Sequence, residues 1–155
     1  MDKKCIGIVV SLLAISIVVY KFFSPAHTLV NANKDERTAI ELNADEMNLV
    51  LAEMRLFLTS VQQITNALAE NDMQKVAVNA RKVGRASQGD VPAEFAKKLP
   101  LEFKKLGFDT HTKFDQLALD AVDLGDKDHA LSQLSTLMQN CVSCHATYRL
   151  ELLNK

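Results

Sequence analysis

The feature that most constrains the fold is the stretch 44–70, where apolar side chains recur at helical spacing and no Gly or Pro interrupts them. This spacing predicts one long amphipathic helix, with Asn43 or Asp45 as its N-terminal cap. The apolar stripe consists of Met47, Val50, Leu51, Met54, Phe57, Leu58, Val61, Ile64 and Leu68.

Shorter stretches of the same kind follow and predict three more helices, at about 72–87, 110–124 and 126–153. Residues 93–108 predict a short helix and a packed loop, because Pro100 and Gly107 interrupt the pattern. Four helices joined by short links predict an all-α fold, an antiparallel four-helix bundle. An N-terminal hydrophobic helix precedes it.

The motif Cys141-Val142-Ser143-Cys144-His145 carries the most specific chemistry. Cys-x-x-Cys-His is the attachment sequence of a c-type haem. Each thiol forms a thioether with one vinyl group of the porphyrin, and the imidazole binds the iron from the proximal side. On a helix, the three side chains face one side. The motif therefore predicts a single covalent haem c, with Cys141 and Cys144 as attachment points and His145 as iron ligand.

Three other interpretations of the motif use fewer of its residues. A structural zinc site needs four ligands, and the sequence has no second Cys or His pair. A thioredoxin-like redox pair belongs near a βαβ unit, and no strand pattern precedes Cys141. A disulfide between Cys141 and Cys144, which an oxidising compartment favours, gives His145 no role.

Residues 1–24 have the layout of a secretory signal or a signal anchor, with lysines before a long apolar run. The run approaches the length that spans a bilayer, so we expect a retained anchor. Lys3 and Lys4 would then keep the N-terminus in the cytoplasm and place the rest of the chain outside. The alternative is cleavage near residues 30–32, whose small side chains suit a signal peptidase.

Residues 25–42 are expected to form a polar tether between the anchor and the domain of residues 43–155. The domain has a basic stretch at 75–105 and an acidic one at 109–128. These are typical of solvated helix faces, and a polarised surface that orients a redox partner is the alternative. With little aromatic interleaving and no known binding motif, nucleic-acid binding is not expected. No acid/base cluster, phosphate loop or nucleophile–base pair indicates an enzyme.

The haem motif at the end of a predicted bundle resembles that of the cytochrome c prime family. The similarity is sharpest over residues 141–149, where aromatic Tyr148 and basic Arg149 follow the motif. The resemblance implies a four-helix bundle with haem between the helices, export from the bacterial cytoplasm, and electron transfer or binding of small gaseous ligands. It also implies that Arg149 brings positive charge to the haem on the His145 side, the alternative being an exposed charge at a helix C-terminus.

In that family the first helix supplies the residue on the open side of the iron. Met54 lies mid-helix on the apolar stripe and is the predicted second metal ligand, with Met47 or no Met ligand (Phe57 over the iron) as alternatives. A Met ligand predicts a single-electron carrier that faces the periplasm. An apolar residue predicts a five-coordinate cytochrome c prime that binds NO or CO.

The expected partners are redox proteins of the periplasm or inner membrane, and the membrane itself through the N-terminal segment. A homodimer stays open as a further alternative. The protein is expected on the periplasmic side of the bacterial inner membrane, anchored there, or in the periplasm if the signal is cleaved. The histidines outside the motif, His27, His111 and His129, are expected at the surface.

Overall fold

The computed structural model describes Ser16, Tyr20 and residues 35–89 and 91–153. The chain divides into two compact units, Met1–Asp35 and Glu36–Lys155, and the described part of the second is mostly helical. Its helices are α1 (Ala44–Ala69), α2 (Met73–Arg81), α3 (Ala93–Lys98), α4 (Leu101–Asp123) and α5 (Lys127–Thr147), with a 3-10 helix at Arg85–Gln88. Two strands, β1 (Thr38–Leu42) and β2 (Tyr148–Leu152), form a parallel pair.

The predicted anchor, residues 1–24, lies outside the described residues apart from Ser16 and Tyr20, which are helical. The alternative cleavage site at 30–32 and His27 also lie outside them. Among the residues that the structure describes, no helix is both long and apolar enough to cross a membrane.

Helix α1 begins where the sequence predicts, because Asn43 caps it. The Asn43 side chain accepts a hydrogen bond from the Glu46 N–H at 2.9 Å, and the Glu46 carboxylate accepts one from the Asn43 N–H at 2.9 Å. This reciprocal capping box satisfies donors that the first helical turn leaves unpaired. After α1, Asn71 adopts a φ of 56°, and Asp72 caps α2 by accepting a bond from the Lys75 N–H at 2.9 Å.

Helix α2 is shorter than the predicted second helix and ends at Arg81 rather than near residue 87. Beyond it, the backbone comes close to α4 at Gly84. The Asp115 carboxylate of α4 accepts a hydrogen bond from the Arg85 N–H at 2.9 Å. A Cβ atom on Gly84 would lie 1.9 Å from Asp115 Oδ1, so only glycine leaves room for this approach.

Helix α4 replaces the packed loop that the sequence predicts over its first two turns, and that prediction is wrong. Pro100 directly precedes the helix with φ −54° and ψ 144°, a position where its missing N–H is not needed. Gly107 lies inside the helix with open space where a Cβ would stand. One interior Gly costs about 1 kcal/mol relative to Ala, too little to interrupt a long helix.

Helix α5 ends at Thr147, well before the predicted end near Leu153, because residues 148–152 form β2. The sheet thus corrects the prediction of a purely α-helical domain. Strand β1, its partner, lies inside the stretch 25–42 predicted to be a polar tether, and buries Ile40 and Leu42. The register places Thr38 opposite Tyr148 and Leu42 opposite Leu152.

Two hydrophobic clusters hold the described part of the domain together. The larger draws on α1, α2, α4 and α5 and buries Ile64, Ala67, Leu68, Val76, Ala77, Ala80, Val83, Phe114, Leu117, Ala118, Ala121, Ala130, Leu134 and Leu137. Helix α2 packs against α1 and α4, and α4 packs against α5, whereas α1 and α5 contact each other only sparsely.

The smaller cluster joins the sheet to the first half of α1. Its buried members are Ile40, Leu42, Val50 and Phe95, against which Met47, Met54, Leu99, Phe103, Tyr148 and Leu150 pack. Because Tyr148 directly follows α5, this cluster lies beside the end of the helix that carries the haem motif.

Candidate functional site

The three motif residues lie in the last two turns of α5. Cys141 and Cys144 are free and half-buried, and His145 is exposed. At helical spacing the three side chains share one side of the helix. Two uncommitted thiols beside an imidazole are the donor set that covalent haem attachment needs.

The two thiols have raised pKa values. Burial raises the pKa of Cys141, and burial together with the nearby charge of Cys141 raises that of Cys144. Both groups are therefore protonated thiols at neutral pH. A dithiol redox pair depends on a lowered cysteine pKa, so this environment does not favour thiol–disulfide chemistry.

The backbone carbonyl of His145 is hydrogen-bonded, whereas the residue itself is exposed. Its carbonyl accepts a hydrogen bond from Arg37 Nη1 at 3.2 Å, and no hydrogen bond of the ring is found within the described part of the chain. There, no group of three or more His, Cys, Asp or Glu side chains could hold a bare metal ion. A haem iron needs no such group, because the protein supplies only its axial ligands.

The side of α5 that carries His145 also carries exposed apolar side chains. Asn140 marks the side that faces α4, since its amide donates hydrogen bonds to two α4 side chains. Cys144 and Cys141 lie about 40° and about 100° around the axis from Asn140, between that side and His145. His145, Met138 and Val142 lie about 140–160° around the helix axis from Asn140. Val142 is 69% exposed, and Met138 is exposed as well.

Helix α1 has a matching side. Gln63 marks its α2-facing side, because its Oε1 accepts a hydrogen bond at 3.0 Å from Nζ of Lys82, the C-cap of α2. Leu51, Met54 and Leu58 lie about 120–180° around the axis from Gln63. Leu58 is 71% exposed.

Helices α1 and α5 contact each other only sparsely. We use the name α1–α5 seam for two sets of side chains on these helices, Leu51, Met54 and Leu58 on α1 and Met138, Val142 and His145 on α5. A flat and largely apolar group attached through the two thiols could pack on apolar side chains of this kind, so the residue types fit a haem.

Two consecutive residues of α4 contact α5 and α1, which shows which parts of these two helices lie at the same height along the axis of α4. Thr110 Oγ1 accepts a hydrogen bond from Asn140 Nδ2 at 3.2 Å. His111 Nε2 lies 3.2 Å from Glu53 Oε1. Cys141 follows Asn140 on α5, and Met54 follows Glu53 on α1. Cys141 and Met54 therefore lie at similar heights along this axis.

Of the two alternatives to Met54, Phe57 is the less well placed. Phe57 belongs to the core, where its ring stacks on Phe114 at a centroid distance of 5.6 Å and an interplanar angle of 10°. Met47 and Met54 both pack against the smaller cluster. Met47 is about 10 Å from Met54 along the axis of α1, in the direction of the end of α5 that carries His145, so height along the axis does not distinguish the two.

Arg149 lies on β2 and not one helical turn beyond His145, because α5 ends first. Its Nη1 is 2.8 Å from Glu151 Oε2. Its Nε is buried and has no hydrogen-bond partner among the described residues. An unpaired buried donor costs free energy, which an acceptor oxygen of a bound group would remove.

His111 is buried, and the expectation that it lies at the surface is wrong: only 3% of it is exposed. Its Nδ1 lies 2.8 Å from the Val83 carbonyl oxygen and its Nε2 faces Glu53. The signal was present in the sequence, because His111 precedes Phe114 by three residues and so shares its apolar stripe. His129 is exposed, as expected, and its Nε2 lies 3.4 Å from Asp120 Oδ2.

Comparison with protein-family models, curated proteins and solved structures gives no match for this chain.

Proposed function

We propose that this protein is a monohaem c-type cytochrome of the cytochrome c prime type that carries single electrons. Its domain would be an antiparallel four-helix bundle of α1, α2, α4 and α5. Residues 1–24 would anchor it to the periplasmic side of the bacterial inner membrane, with redox proteins of the periplasm or that membrane as partners.

One observation carries the proposal: a pair of free thiols and an imidazole with no hydrogen bond among the described residues end a helix that also exposes apolar side chains. Each part alone has other uses. A thiol pair without the seam would suit a disulfide, and an apolar seam without the thiols would suit a protein partner. Covalent haem is the group that uses both.

Each residue then has a defined task. Cys141 and Cys144 would hold the haem by thioether bonds, and His145 and Met54 would supply the ligands of its iron. The haem supplies a one-electron redox centre when bound, and a Met/His ligand pair gives it a raised potential. Leu58, with the other apolar side chains of the seam, excludes water from it.

Mass spectrometry of protein exported by a host competent in c-type cytochrome maturation tests the attachment. We expect one haem added to the chain mass, retained after denaturation because thioethers are covalent. Changing Cys141 and Cys144 together to Ala should remove it, whereas Cys5→Ala, at the remaining cysteine of the sequence, should leave it in place. A bare chain mass for the unmutated protein would refute the proposal.

Absorption spectroscopy with carbon monoxide tests the Met54 ligand. The unmutated protein should be low-spin in both oxidation states and slow to take up carbon monoxide. Met54→Ala should become high-spin and bind carbon monoxide readily, whereas Met47→Ala, the matched control, should stay low-spin. If the unmutated protein is already high-spin, Met54 is packing only and the protein is the five-coordinate binder of NO or CO.

A further inference from the structure

We infer that α4 positions the two helices that carry the iron ligands, with His111 and Asn140 as positioning residues that set how Met54 meets the iron held by α5. The inference rests on the proposed function, because it concerns ligands of the same haem. Neither residue belongs to the seam, so His111 acts on Met54 through the backbone of α1, and Asn140 acts on His145 through the backbone of α5.

His111 fixes α1 from the side of α4. The ring is buried and bonded on both edges, at 2.8 Å to the Val83 carbonyl and at 3.2 Å to Glu53. The Phe57 ring lies 4.9 Å from it, centroid to centroid. With both nitrogens engaged and a face covered, the imidazole has one orientation. It therefore holds the turn of α1 that contains Glu53 and Met54.

Asn140 fixes α5 from the same place on α4. Its Nδ2 donates to Asp109 Oδ2 at 2.7 Å and to Thr110 Oγ1 at 3.2 Å. Its Oδ1 accepts from Lys113 Nζ at 3.1 Å. The buried amide thus uses both donors and its acceptor, which leaves no alternative rotamer of equal energy.

Directional bonds are needed here because α1 and α5 contact each other only sparsely. Apolar packing tolerates small sliding movements, whereas a hydrogen bond weakens steeply with distance and angle. A slip of one residue along a helix is about 1.5 Å, and a functional site needs its groups held within about 0.5 Å. Because Thr110 and His111 are consecutive on α4, their bonds to Asn140 and Glu53 hold α5 and α1 against the same turn of α4 with that accuracy.

The test compares full-length variants expressed in a host competent in c-type maturation. His111→Leu removes both bonds of the ring, and Glu53→Ala removes one of them at a less buried residue. The control is Glu70→Ala at the far end of α1, where the carboxylate is 2.9 Å from Lys75 Nζ. His111→Gln keeps a polar amide for Glu53 and serves as the conservative rescue.

We expect His111→Leu and Glu53→Ala to keep covalent haem but to gain a high-spin fraction and take up carbon monoxide about tenfold faster. The Glu70→Ala protein should match the unmutated one, and His111→Gln should lie between. Independently of haem, amide exchange in a Cys141→Ala/Cys144→Ala background should show lost protection around Met54 when His111→Leu is added.

The outcomes separate this inference from the function on which it rests. An unmutated protein without haem, or one with high-spin haem, removes the Met54 ligation and the inference with it. An unmutated protein with low-spin haem whose Glu53→Ala and His111→Leu variants have the same spectrum and uptake rate overturns the inference alone. Should His111→Leu fail to fold, Glu53→Ala decides.

Discussion

At the scale of single residues, His111 shows how hydrogen-bond partners can outweigh the effect of burial on the pKa of an imidazole. Burial by itself would lower the pKa of the imidazole, but hydrogen bonds to Glu53 and to the Val83 carbonyl outweigh it and raise the pKa above its ordinary value. Both partners are oxygen acceptors, so a doubly protonated ring satisfies both. The folded protein therefore binds this proton more tightly than the unfolded chain does.

The pH dependence of stability follows from that raised pKa. The contribution of His111 is fully present below its unfolded pKa of about 6.5. It is lost as the pH rises through the higher pKa of the folded state. We expect the free energy of unfolding, from urea titrations between pH 6 and 9, to fall relative to His111→Gln. A difference between the two proteins that stays constant across this range would contradict the assignment.

Gly84 and Gly107 allow a comparison of one substitution in two surroundings. Gly107→Ala should stabilise the protein by about 0.5–1 kcal/mol, because alanine favours a helix and the added methyl meets open space. Gly84→Ala should destabilise it by about 1–3 kcal/mol, because the methyl displaces the Asp115 carboxylate from the Arg85 N–H. Thermal unfolding of both variants checks the signs, and equal effects would refute this explanation.

At the scale of elements, the sheet is the part that could not be predicted from the sequence. The bounds of α1 follow from its apolar spacing and from Asn43, both of which are local. Strand β1 alternates over only five residues, and its partner lies far away in the chain. The N-terminal half of α4 is concealed for a different reason, since Pro100 is placed before the helix rather than within it.

In the candidate site, too, some features could be predicted from the sequence and others could not. The motif residues follow from sequence, because Cys-x-x-Cys-His is local. The burial of His111 could have been predicted from its spacing to Phe114. The contact of Asn140 with α4 depends on how two helices pack, and so does the position of Arg149 on a strand. No periodicity within one segment contains that information.

Leu42 and Leu152 test the energetic importance of the sheet, because they are paired in its register. Leu42 is 0% exposed and Leu152 is 51% exposed. Leu42→Ala should destabilise the domain by about 3 kcal/mol through lost burial and a cavity. Leu152→Ala should change the free energy of unfolding, measured in urea, by about 0.5 kcal/mol at most. Equal losses would mean that β1 does not contribute to the core.

At the scale of the whole molecule, the membrane attachment is a separate question from the domain. Residues 1–24 combine basic residues with an apolar run, which predicts an anchor. We expect haem to fractionate with membranes of the expressing host and to stay there in high salt. Replacing residues 1–24 by a cleavable signal should release the same spectrum into the periplasm. Recovery of the unmutated protein as a soluble chain beginning near Asn33 would show that the signal is cleaved.

The pairing of β2 with β1 also imposes an order on biogenesis. Strand β2 begins three residues after His145, yet its partner precedes α1. The pairing cannot form until every residue between the two strands has emerged and the helices have brought their ends together. Contacts between distant segments form slowly. If haem is attached as proposed, this interval would leave both cysteines accessible for thioether formation before the two strands pair.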